Sequence, residues 1–116
     1  MHKKGEVYAR EAADLIGDSR EEQHGNKHSN FENIAILWNA WLRLIDYREL
    51  TPSDVATLMS LMKKARTETG LFNEDDFVDD VGYTAIAGEL AGAQNELDEK
   101  ASSSYLNAIR RPPQSG

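Results

Sequence analysis

The sequence has no cysteine, which excludes a disulfide scaffold, a thiolate zinc or iron–sulfur site and a cysteine nucleophile. Long apolar runs are also missing. The stretch at 34–38, Ile-Ala-Ile-Leu-Trp, is far short of the ~20 residues that span a bilayer, so no membrane association is expected. The first residues, Met1-His2-Lys3-Lys4-Gly5-Glu6, lack the apolar core of a signal peptide, and the expected location is the cytoplasm. Basic residues are outnumbered, with 13 Lys and Arg against 20 Asp and Glu, a formal charge of −7. Such a field repels phosphate backbones at long range, which argues against general DNA or RNA binding. There is no glycine-rich phosphate loop, no recognisable serine–histidine–acid set and no alternating pattern of strand length.

What is present is helical periodicity in a chain of 116 residues, the size of one domain with enough interior for a core. Apolar residues at three- and four-residue spacing predict helices near residues 6–16, 30–46, 52–68 and 74–97. Between the first two lies a polar stretch over 18–29, of the kind that forms a functional or mobile loop. Thr51-Pro52-Ser53-Asp54 is a helix start, with a capping hydroxyl, proline at the first helical position and an acid near the positive end of the dipole. Asn73 can cap the last long helix ahead of Glu74, Asp75 and Asp76. Ser102-Ser103-Ser104 is expected to end that helix, leaving a short terminal helix at 105–109 and a frayed tail. The expectation is an all-α, four-helix bundle-like domain over residues 1–104, followed by the short helix and tail over 105–116. Trp38, Trp41, Leu42 and Ile45 share one segment, more apolar surface than one thin helical layer covers. Homo-oligomerisation, most simply a homodimer, is expected to complete the bundle.

The charges are clustered. Residues 74–99 carry nine acids and no base, while Lys63, Lys64 and Arg66 stand together. Asp75 with Asp79, and Asp76 with Asp80, are four apart and share helix faces. Either pair could offer a hard cation two oxygens, which suits magnesium or manganese; equally, the acids could complement the helix dipole and face solvent. Lys63 and Arg66 near a helix end could be ordinary dipole partners, but beside a carboxylate-rich helix they meet the needs of a triphosphate site. His24, Gly25, Asn26, Lys27 and His28 lead into Asn30, where a base could stack on Trp38 or Phe31 while Asn30 reads its edge. Core packing is the competing explanation for both aromatics.

The succession His24-Gly25-Asn26, the run from Asn30 to Trp38, Pro52-Ser53-Asp54-Val55-Ala56, Lys63-Lys64-Ala65-Arg66, and Asp75 to Asp79 followed by Gly82-Tyr83 resembles small phage-type proteins. These are grouped near the MazG-like all-α nucleoside-triphosphate pyrophosphohydrolases. The resemblance covers roughly residues 9–90. It implies an oligomeric helical bundle that binds Mg2+ or Mn2+ through facing acids and cleaves a (deoxy)nucleoside triphosphate to monophosphate and pyrophosphate. The implied metal ligands are Asp54, Asp75, Asp76 and Asp79, with Asp79 and Lys63 as catalytic groups. His24, Asn30, Trp38, Lys63, Arg66 and Tyr83 are the implied nucleotide contacts. The glutamate pair of the first metal helix in MazG-like proteins is missing. That departure keeps a second function open: a non-catalytic helical module that binds a host protein, a defence-system protein or a nucleotide in the host cytoplasm.

Overall fold

The computed structural model describes residues 2–17 and 26–110. It contains helices α1 (Gly5–Ile16), α2 (Lys27–Leu44), α3 (Pro52–Thr67) and α4 (Glu74–Arg110), with no strand among the described residues. The fold is all-α, as the periodicity predicts. No helix among the described residues is long and apolar enough to cross a membrane.

Helix α2 starts earlier than its apolar stripe. The Asn26 side chain accepts hydrogen bonds from the backbone N–H of His28 at 2.8 Å and of Ser29 at 3.3 Å, capping the helix there rather than near Asn30. The polar first turn of a helix reads as loop by composition alone, and this misplaced the expected boundary. At the other end, Asp46 and Tyr47 take left-handed φ values of 54° and 53°, and the Tyr47 N–H reaches back to Leu42 O at 2.9 Å. A side chain in that region costs roughly 1–2 kcal/mol. Because Tyr47 is exposed, Tyr47→Gly is expected to gain about 0.5–1 kcal/mol net of the added unfolded-state freedom, seen as a Tm higher by a few degrees.

Helix α3 begins as the sequence indicates. Thr51 and Asp54 form a reciprocal capping box, and Pro52 occupies the first turn. Gly70, at φ 75°, makes the turn toward α4 in a conformation glycine adopts without penalty. Asn73 then caps α4, its Oδ1 accepting from the Asp75 N–H at 3.0 Å. Contrary to expectation, α4 does not stop near 97 but continues through the three serines to Arg110. Serine is a mediocre helix former rather than a breaker. The turns just before it are tied by Gln94 to Asp98 at 3.0 Å and Asn95 to Glu99 at 3.2 Å. The separate helix expected at 105–109 is therefore the end of a 37-residue rod, about 55 Å long at 1.5 Å per residue.

Helix α3 is central, packed by α2 on one side and α4 on the other. Trp38 donates its indole N–H to Leu58 O at 2.7 Å, pinning α2 to α3. Ser53 donates to Ala87 O at 2.8 Å and Lys63 meets Asp79 at 2.9 Å, so α3 and α4 run antiparallel. The core is small: Ile34, Ala56, Leu58, Ala65 and Ala87 are buried, and among the described residues no large side chain is fully enclosed. Helix α1 buries no residue, so the packed unit is α2–α4. Trp38, Trp41, Leu42 and Ile45 are half-buried within this unit; the surplus apolar surface lies elsewhere, much of it on α4.

Candidate functional site

The antiparallel α3–α4 pairing brings the base cluster at 63–66 against the acidic first turns of α4. Lys63 lies between two carboxylates: its Nζ is 2.9 Å from an Asp79 oxygen and 3.8 Å from an Asp76 oxygen. The Lys63 side chain is 13% exposed and that of Asp76 only 5%, whereas Asp79 is 46% exposed. One ammonium thus balances a buried acid and a solvent-facing acid, and the pair that converges is 76 with 79. Asp75 is exposed and is not among the acids that meet Lys63, so neither same-face pair read in the sequence, Asp75 with Asp79 or Asp76 with Asp80, is the one that converges there. In an antiparallel helix pair only the positions facing α3 can meet Lys63, and Asp76 holds one of them.

A second charge centre lies one turn along. Lys64 and Ser60 both bond the Asp80 carboxylate, and Ser60 also contacts Thr84 at 3.1 Å. Burial pushes the Asp80 carboxyl up, but the Lys64, Ser60 and Thr84 contacts outweigh it and hold it below the ordinary carboxylate value. Lys64 and Asp80 belong to the charge clusters read in the sequence, but Ser60 and Thr84 were not singled out there. The signal was there, since 60 and 64 on α3, and 80 and 84 on α4, are complementary pairs at helical spacing.

Arg66 lies on the last turn of α3, and its Nε is buried with no hydrogen-bond partner. Nearby, Thr69 donates to the Oδ1 of Asn30 at 3.5 Å, which brings the start of α2 to the end of α3. Asn30 is itself buried. Phe31 is exposed and, with Lys27, His28 and Glu32, lines a shallow groove of about 380 Å³. Of the two aromatics considered for base stacking, Phe31 is the accessible one, because the Trp38 indole is committed to Leu58. Tyr83 is half-buried on the α3-facing side of α4. His24 lies outside the described residues.

Asp54 stands apart from this group. It is nine positions before Lys63 on α3, about 13 Å along the axis, and its oxygens are taken. Arg48 grips it with two bonds of 2.5 and 3.0 Å, and Thr51 donates to it from its backbone N–H at 2.8 Å and its hydroxyl at 3.0 Å. The Arg48 guanidinium, against opposing desolvation and with help from Thr51, holds the Asp54 carboxyl down at about 2. Asp54 is therefore a cap and an ion-pair partner, and the structure does not place it with Asp75, Asp76 and Asp79.

Whether these acids suit a divalent cation follows from the donor set. Among the described residues no three Asp, Glu or His side chains gather as a metal cage. Asp76 and Asp79 alone converge on one point, that of the Lys63 ammonium. Two carboxylates leave most of an Mg2+ octahedron to other ligands, and the point on which these two converge is held by the Lys63 ammonium.

Comparison with known proteins agrees with the phage-type resemblance at its coarser level. The chain is similar to the Gene 55 protein of Mycobacterium phage L5, 33% identical over 85 residues, and to the Gene 55 protein of Mycobacterium phage D29, 37% identical over 80 residues. These alignments take in 73% and 69% of this chain but 53% and 50% of the relatives, so the chain spans about half the length of the curated relatives it matches. No solved structure matches it. No MazG or pyrophosphohydrolase family is among these matches. The match that takes in α2, α3, the Lys63–Asp76–Asp79 group and the first half of α4 is to the Domain of unknown function (DUF6378), over residues 8–91, and the chain belongs to that family.

Proposed function

We propose that the protein is a phage nucleotide-binding enzyme of the host cytoplasm, working as a homodimer or larger assembly. In this reading it cleaves a nucleoside triphosphate to monophosphate and pyrophosphate at the junction of α2, α3 and α4. The observation that carries the reading is the Lys63 ammonium held between the Asp76 and Asp79 carboxylates, with the unpartnered Nε of Arg66 on the next turn. Two acids and a base at one point, with a second base one turn along the helix, can receive both the negative oxygens of a phosphate chain and the cation that accompanies it.

On binding, Lys63 exchanges a carboxylate for a phosphate oxygen, and Arg66 gains the acceptor its Nε lacks. Asp76 and Asp79 would hold a Mg2+ or Mn2+ that arrives with the nucleotide, which would supply positive charge to the phosphate chain. Asp76, the buried acid, positions; Asp79, open to water, accepts the proton of the water that attacks the α-phosphorus. The α–β anhydride bond breaks, and Lys63 or Arg66 balances the charge of the departing pyrophosphate. Phe31 offers a base a surface at the rim, beside His28.

The non-catalytic alternative draws on a separate observation. Asp76, Asp79 and Asp80 already have lysine partners within the chain, which is also how a purely structural ion-pair seam is built. A panel of nucleotides with Mg2+ or Mn2+, scored for monophosphate and pyrophosphate release, separates the two. Product is expected, and Asp79→Asn is expected to abolish it while leaving the helical circular dichroism intact. If no nucleotide is turned over, yet one raises the Tm and Arg66→Ala removes that rise, the binding-module reading stands instead.

A further inference from the structure

The shallow groove at the start of α2 carries chemistry that the phosphate contacts leave unused. Its lining residues Lys27, His28, Phe31 and Glu32 are all exposed. Among the described residues, Lys27, His28 and Glu32 enter no ion pair. Positions 27 and 31, and positions 28 and 32, are each four apart, so the groove has two adjoining rows. One row is Lys27 with the Phe31 ring, and the other is His28 with the Glu32 carboxylate.

Phe31 lies on the side of the α2–α3 layer that carries Arg66. Asn33, Ile36 and Leu37 of α2 line one cleft with Lys64, Ala65 and Glu68 of α3, which marks one side of the seam between the helices. At 3.6 residues per turn, positions two apart lie on nearly opposite sides of a helix. Phe31 is two positions from Asn33, and Arg66 is two from both Lys64 and Glu68, so Phe31 and Arg66 share the other side. The contact of Asn30 with Thr69 sets the two helices level. Arg66 is then about 4.5 Å along α3 from that level and Lys63 about 9 Å, at 1.5 Å per residue. Packed helix axes are about 8–10 Å apart, which puts the Phe31 and Arg66 backbones roughly 10 Å from each other. A ribose joins a base to its phosphates over such a span.

Donors and acceptors in the groove select the base. A carboxylate accepts hydrogen bonds and donates none. Guanine presents two N–H donors side by side, N1–H and the 2-amino group, one for each oxygen of a carboxylate. Adenine and cytosine set a ring acceptor beside their amino group, and uracil and thymine flank their one N–H with carbonyls. Each of those would turn a lone pair onto Glu32. The O6 and N7 edge of guanine only accepts, which suits the Lys27 ammonium. We propose that the groove at the start of α2 is a guanine subsite. The ring stacks on Phe31, Glu32 holds N1–H and the 2-amino group, and Lys27 holds the O6 and N7 edge. This inference rests on the reading of Lys63 and Arg66 as phosphate contacts, and it makes guanine nucleotides the preferred ligands.

Titration calorimetry of the full chain with Mg2+ and the α,β-methylene analogues of GTP and ATP, in which the scissile bond is blocked, tests this. The GTP analogue is expected to bind roughly tenfold tighter than the ATP analogue, or better. Glu32→Gln is expected to reverse that order. Its amide accepts from the adenine 6-amino group and donates to adenine N1, but turns a donor onto guanine N1–H. Phe31→Ala is expected to weaken both analogues by roughly five- to a hundredfold, the worth of one stacked base, with unchanged helical circular dichroism. Equal affinity for the two analogues, or a preference that Glu32→Gln leaves in place, would overturn the guanine subsite. The phosphate reading survives either result if Arg66→Ala still weakens binding. If neither analogue binds, both readings fall.

Discussion

Lys63→Ala is expected to cost the protein about 3 kcal/mol of stability, the low end of the range for removing one partner of a buried ion pair. The loss arises mainly from what is left behind. Asp76 is nearly enclosed, and without the ammonium its carboxylate is left unpaired where water scarcely reaches. Asp79, half open to solvent, suffers little. The double variant Lys63→Met/Asp76→Leu should therefore recover most of the loss, since apolar residues of similar volume replace a buried pair at little cost. Urea unfolding of the three proteins measures this. If the single variant lost under 1 kcal/mol, the cluster would be screened by solvent and the buried setting of Asp76 would be wrong. The same pair of variants bears on the site: both should lack turnover, but only the single one should be unstable.

Asp54 governs the acid limb of stability. Its folded value is about 2 against an ordinary 3.8, so the folded protein binds the proton less readily than the unfolded chain does. The resulting stability is fully present above about pH 4, where both forms are ionised, and is lost as pH falls from about 4 through 2. The full shift corresponds to a little over 2 kcal/mol at about 1.36 kcal/mol per pH unit. Because Arg48 is 49% exposed, screening reduces the expected contribution to about 1–2 kcal/mol. Asp54→Asn should flatten the stability curve between pH 4 and 2 relative to the parent. A residual slope of the same sign remains from Asp80, which is also held below its ordinary value. Equal slopes in parent and variant would mean that the Arg48 clasp does not persist in solution.

Local chemistry was legible where it acts over a few residues. The Thr51 cap, the proline start of α3 and the Asn73 cap of α4 are decided by side chains within three positions of the backbone they satisfy, and each appears as expected. The starting point of α2 was missed because Asn26 caps a turn whose own residues are all polar. The end of α4 was missed because three serines in a row weaken a helix without breaking it.

For the candidate site, the sequence named Lys63, Asp76 and Asp79, which the structure brings together, and also Asp75 and Asp54, which it does not. That Lys63 and the acids of α4 belong together was readable from their clustering. That Asp76 rather than Asp75 meets Lys63 depends on the rotation of α4 about its own axis, and packing against α3 sets that rotation. Asp54 was drawn into the acid set by type, yet its position at the far end of α3 separates it by two and a half turns, and Arg48, from the preceding connection, occupies it.

By itself, then, the sequence determined the all-α class, the helix starts on α3 and α4 and the charge clusters. These follow from periodicity and capping, which act between near neighbours on the chain. Only the tertiary structure decided which acids share one ammonium and that α3 stands between α2 and α4. Those depend on the antiparallel register and rotation of helices tens of residues apart, and register is fixed by the sum of many weak packing contacts rather than by any local signal.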